Sequence, residues 1–108
     1  ELAHGLHGGE LETSMLLHLH PELVRREALR DFAWPVMASD ALLQPERPVG
    51  YGWMSQDLNP TGAIGGAAHA DAARGAHLLD HLGRSLAALL SETAAMSLNT
   101  LRDGPGAD

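Results

Sequence analysis

Apolar residues fall into two helix-like patterns separated by a long stretch without periodicity. Leu11, Met15, Leu16 and Leu19 follow steps of four, one and three, the spacing of one helical face, and predict a helix starting near Glu10. Glu10 and Glu12 lie in its first turn, where the helix dipole favours negative charge. His20-Pro21 ends this helix, and Pro21 suits the opening of a second short helical turn, Glu22 to Arg30. Arg25, Arg26 and Arg30 fall towards its C-terminal end. Phe32 to Met37 reads as a short extended piece that Pro35 confines to an edge or an irregular segment.

Ser39 to Gly66 reads as loop, interrupted by Pro45, Pro48, Gly50, Gly52, Pro60, Gly62, Gly65 and Gly66. Connections this long are often functional, and Tyr51, Trp53 and Met54 are candidates to line a pocket or an interface. A long helix from about Ala68 to Ala95 is the clearest element. In it Ala72, Gly75, Leu79, Leu82, Leu86, Leu89 and Leu90 recur at three- and four-residue steps. Gly75, Ala76, Gly83 and Ala87 are small enough to let another backbone approach. Residues 103–108 read as a flexible polar tail behind one structured unit, residues 1–102. A single amphipathic helix must bury its stripe against something, and few strong β runs are present to receive it. That predicts a partner or a missing portion of the same domain.

Composition narrows the function classes. Of 108 residues 44% are hydrophobic, which fits a globular chain rather than a disordered one. The net charge is −7, every basic residue is Arg, and no basic run is present, so nucleic acid and anionic membrane surfaces are disfavoured partners. The absence of Cys excludes disulfides, thiolate metal sites and a Cys nucleophile. No apolar run reaches the roughly 20 residues of a membrane span, no signal peptide opens the chain, and a soluble cytoplasmic protein is expected. The chain starts without Met in a His/Gly-rich stretch that reads like the middle of a domain, and a fragment is expected.

Seven His are present. His4, His7 and Glu12 could converge beside the glycines Gly5, Gly8 and Gly9, where a neutral imidazole can bind metal or carry protons. A helix start behind them can stabilise developing negative charge. On the residues alone, solvated loop histidines and a capping glutamate are the more economical reading. His18 and His20 do not share a helical face, whereas His77 and His81 do. The latter pair has no third ligand at a diagnostic offset, and HExxH, GxSxG, P-loop and GxGxxG signatures are absent.

The run His7-Gly8-Gly9-Glu10-Leu11-Glu12-Thr13-Ser14 changes that balance. With the apolar segment that follows and Pro21-Glu22-Leu23-Val24, it resembles the creatininase family's H-[AG]-G-x-x-E-T-S segment, its short helix and its Pro-acid-Leu-Val step. A weaker resemblance covers the Gly62–Gly66 turn, Ala70 to Ala73, Arg74-Gly75 and the apolar Leu78 to Leu90. Together the two identify the C-terminal portion of a creatininase-like domain.

The resemblance implies an α/β fold, the C-terminal part of a three-layer α/β/α domain, mainly helix and loop within this chain. It implies a metal-dependent amidohydrolase that cleaves a C–N bond of a small cyclic or linear amide with metal-activated water, the divalent metal being zinc or manganese. His7 and Glu12 are the implied catalytic residues, with His7 handling protons and Glu12 orienting the loop or a ligand shell. Gly8, Gly9 and His4 are the implied substrate-binding residues. The family's metal ligands lie upstream of the His-Gly-Gly segment, so no metal ligand is assigned here, and the enzyme is expected to be active when complete and this chain alone inactive. The implied partners are the N-terminal portion of the same domain and further copies in a homo-oligomer. Leu6 and Ala3-His4 stand where true creatininases carry an acid and a Trp-Asp pair, which counts against creatinine itself as substrate. Gly66 stands where many members have Asp. Alternatives are a family peptidase or deformylase, or a non-catalytic subunit or interaction module retaining the fold.

Overall fold

Gly9 opens the first helix because an extended residue there (φ −82°, ψ −156°) turns the chain out of the preceding loop. The computed structural model describes residues 5–34, 41–46, 48–102 and 104–105. Helix α1 spans Glu10–Leu19, with both acidic residues of its first turn where the sequence puts them. The Glu12 carboxylate accepts a hydrogen bond from the Gly9 N–H at 3.0 Å, the side-chain half of a capping box. His20 caps the other end, its N–H donating to Leu16 O at 2.8 Å, and Pro21 stops the helix.

The predicted second helix is two 3₁₀ turns, Pro21–Leu23 and Arg26–Ala28. Val24 between them is extended (φ −93°, ψ 116°), which breaks the helical ladder. Strand β1, Asp31–Phe32, follows and pairs antiparallel with β4, Gly65–Gly66. The Arg30 guanidinium lies 5.2 Å from the Phe32 ring centre, within cation–π range. The rest of the predicted extended piece, residues 35–37, lies outside the described residues.

The stretch read as loop contains regular structure. Strands β2, Leu43–Gln44, and β3, Val49–Gly50, pair in parallel, and a one-turn helix α2 spans Ser55–Leu58. Trp53 donates its indole N–H to Pro45 O at 2.8 Å, while Tyr51 and Met54 are exposed. The turn at Asn59–Gly62 closes with Gly62 N–H on Asn59 O at 2.8 Å, and Gly62 sits at φ +79°, where Gly has no steric cost. Asn59 also donates to Ala33 O at 2.8 Å, tying this turn to the chain after β1.

Helix α3 spans Ala72–Ala95, four residues later than its predicted start. Asp71 sets the boundary: it is extended, and its carboxylate accepts from Arg74 N–H at 2.9 Å as an N-cap. Ala67–His69 before it is a 3₁₀ turn.

Helices α1 and α3 meet at Gly75. A Cβ built there would lie 1.9 Å from Ser14 O, so only Gly permits the approach. Ser14, 2% exposed, accepts the Asp71 N–H on its Oγ at 3.0 Å. Around this crossing the core is Leu17, Ile64 and Ala67. The face α1 buries therefore differs from the one its periodicity suggests: Ser14 and Leu17 are inside, while Leu11, Leu16 and Leu19 are exposed. The expected close approach holds at Gly75 and fails at Gly83, where nothing lies within 4 Å of a built Cβ.

Every residue from His81 to Ala95 is exposed, including Leu82, Leu86, Leu89 and Leu90. The chain is elongated, 63 × 36 × 20 Å with a radius of gyration of 19.5 Å. A compact chain of this length has a radius of about 13 Å. Its accessible surface is 8230 Å², against about 5,800 Å² for a folded monomer of this mass.

Candidate active site

The His-Gly-Gly segment is held from both sides by backbone. His7 and Ile64 form an antiparallel bridge: Ile64 N–H donates to His7 O at 2.7 Å, and His7 N–H donates to Ile64 O at 3.2 Å. Leu6 N–H adds a third bond to Ile64 O at 3.0 Å. Ile64 is fully buried, so the bridge is anchored in the core while the His7 side chain stays exposed. Gly8 then takes φ +63°, a left-handed turn that a side chain would strain. Gly9 is buried and leads into α1.

Glu12, Thr13 and Ser14 lock this turn, each in a different way. Glu12 holds Gly9 N–H, as above. Thr13 donates its hydroxyl to Gly8 O at 3.3 Å, and Ser14 receives Asp71 N–H from the start of α3. The Glu-Thr-Ser segment thus fixes the loop to α1 and α1 to α3. Glu12, expected as catalytic, has its carboxylate engaged as a cap for the loop that carries His7.

Arg74 was not singled out as a site residue by the sequence reading beyond its place in Arg74-Gly75. Its guanidinium pairs with Glu10 and also donates to His69 O. The Arg74 N–H bond to the Asp71 carboxylate is the largest cause holding that carboxyl below the usual 3.8, against the opposing effect of desolvation. The His residues set aside on their spacing do not join this cluster. His77 and His81 are exposed on α3, and His20 pairs with Glu22 at 3.0 Å. His4 lies outside the described residues. Among the described residues no group of three or more His, Asp or Glu is placed to hold a metal ion, and no helix is long and apolar enough to cross a membrane.

The sequence profile of the creatininase family, described as creatinine amidohydrolase, matches residues 1–90. The chain belongs to the creatininase family. Its structure is similar to a crystal structure from Bacteroides fragilis NCTC 9343 of a protein provisionally named a creatinine amidohydrolase. The TM-score is 0.71 at 27% sequence identity, over 88% of this chain. The match covers 37% of that protein's chain, so this creatininase-family chain spans well under half the length of its solved relative. No curated protein matches the chain. The elements described above are therefore a creatininase-like arrangement of mixed helix and strand, and the held His-Gly-Gly loop lies within the residues the family profile matches.

Proposed function

We propose that this chain is the His-Gly-Gly-bearing part of an amidohydrolase that cleaves a C–N bond of a small cyclic or linear amide. The observation that carries the reading is the exposed His7 side chain on a backbone anchored to the core, at the mouth of α1, in a creatininase-family chain. His7 serves as general acid/base, taking a proton from the attacking water and returning it to the leaving nitrogen. Gly8 forms the wall along which the amide lies, since its lack of a side chain lets a substrate reach the backbone, and the buried Gly9 backs it. His4 is assigned to substrate binding with them. Glu12 keeps that wall in place through its bond to Gly9 N–H. In the complete domain these elements form part of a three-layer α/β/α arrangement.

A divalent metal, zinc or manganese, belongs to this reading as a requirement of the complete enzyme. The described residues do not by themselves fit such an ion, since His7 and Glu12 are not joined by a third ligand and Glu12 is engaged as a cap.

The test, made on the complete protein that carries this chain, is a panel of small cyclic amides, linear amides, formamides and short modified peptides, assayed for amine release with added zinc or manganese and again after chelation. Turnover of a small amide that disappears on chelation supports the reading. Turnover confined to peptides or formamides moves the chain to the family's peptidase or deformylase branch. No turnover of any class, with the protein folded and metal supplied, overturns the reading. The exposed distal face of α3 favours a second reading, an interaction module that retains the fold. Inactivity together with a stable assembly in size-exclusion chromatography would support it.

A further inference from the structure

We propose that Arg74 is the positioning residue of this site, one guanidinium that holds both backbone segments flanking His7. The catalytic consequence rests on the role given to His7 above, whereas the clamp itself rests on geometry alone. The first segment runs from His7 to Glu10, and the second from Ile64 to His69. The two touch at the His7–Ile64 bridge, which involves main-chain atoms only. Three residues beyond His7, the Glu10 carboxylate pairs with Arg74 Nη1. Five residues beyond Ile64, the His69 carbonyl accepts from Arg74 Nη2. Arg74 therefore closes a ring around the bridge, and neither segment can move from the other without breaking one of its two bonds.

Arg74 is itself held in register. It lies in the first turn of α3, its N–H donates to the N-cap Asp71, and Asp71 N–H donates to the buried Ser14 on α1. Gly75, the next residue, is in contact with the Ser14 backbone. The base of the clamp is thus the close α1–α3 crossing at Gly75. Glu10 is the more enclosed partner, with its side chain 17% exposed against 58% for Arg74. The planar fork of Arg can serve two acceptors on different segments at once. A Lys ammonium at the same place keeps the charge beside Glu10 but loses the fixed fork.

The test compares wild type with Arg74→Gln, Arg74→Lys and Glu10→Gln in the complete protein that carries this chain. It reads amide hydrogen exchange by segment together with kcat and KM on whichever small amide the protein turns over. Arg74→Gln is expected to raise exchange at least about tenfold in both His7–Glu10 and Ile64–His69, with Leu82–Leu90 unchanged. It is expected to lower kcat by about ten- to a hundredfold with KM little changed, because a displaced proton carrier affects the chemical step. Arg74→Lys restores part of both. Glu10→Gln cuts one arm only and loosens the first segment alone, which keeps the proposal testable if Arg74→Gln does not fold. Unchanged exchange in either segment of Arg74→Gln overturns the clamp. Loosened segments with full kcat, in a protein that His7→Ala inactivates, overturn the positioning role and leave the His7 reading standing. Full activity of His7→Ala overturns that reading instead, and the exchange pattern then decides the clamp on its own.

Discussion

The two halves of α3 follow one amphipathic pattern and have opposite surroundings. In the N-terminal half Gly75 is buried against α1, Asp71 caps the helix and binds Ser14, and Arg74 reaches two other segments. In the C-terminal half Leu82, Leu86, Leu89 and Leu90 continue the stripe with no residue from His81 onward buried. Periodicity states that a face is apolar, and only packing states what covers it. The half that packs is the half beside the His-Gly-Gly loop, so the contacts of α3 are concentrated where the candidate chemistry lies.

The sharpest way to break the comparison is to make the same substitution in each half. Gly75→Ala forces a methyl group into Ser14 O, and the two helices must part. We expect a loss of about 3 kcal/mol or more, at the top of the range for overpacking, read from a denaturant midpoint. Gly83→Ala has open space around it and replaces a helical Gly. It should gain about 0.5–1 kcal/mol from helix propensity. Equal effects at the two sites would show that the halves are not distinct.

Ser14→Ala is the next largest expected effect. It removes the buried acceptor of Asp71 N–H, and a loss of about 1–3 kcal/mol is expected by the same measurement. A neutral result would mean that the α1–α3 crossing is held by shape alone.

The smallest effect concerns pH. The Asp71 carboxyl is held below its usual 3.8 in the folded chain, so folding binds fewer protons at this group than unfolding does. Its contribution is present in full above the unfolded value and is lost as pH falls through the lower, folded one. Asp71→Asn keeps an N-cap but no charge. The stability advantage of wild type over Asp71→Asn should therefore shrink as pH is lowered below 3.8, as followed by thermal melts. A difference independent of pH would show that the cap acts without its charge.

Much of this was legible in the sequence. The start of α1, the stop at His20-Pro21, the long helix and the closeness at Gly75 follow from capping, proline and small-residue rules acting within a few residues. The family resemblance carried by His7 to Ser14 is matched by a profile covering residues 1–90. What escaped is non-local. Ser14 meets Asp71 across 57 positions and Glu10 meets Arg74 across 64, and no local pattern marks such pairs. The buried face of α1 escaped for the same reason, since Ser14 is selected by a hydrogen bond rather than by hydropathy. Short strands such as Gly65–Gly66 lack any β-propensity signal, because their pairing partner, not their side chains, makes them strands.

The central functional claim is that His7 moves the proton in amide hydrolysis. The measurement that meets it most directly is kcat of His7→Ala on a small amide turned over by the wild type, with circular dichroism and melting temperature recorded on the same samples. The account predicts a loss of about 10²–10⁴-fold in kcat, the usual share of general acid–base catalysis, with folding little changed because the His7 side chain is exposed and its bridge to Ile64 is made by backbone. Near-normal turnover by a folded His7→Ala protein would contradict it.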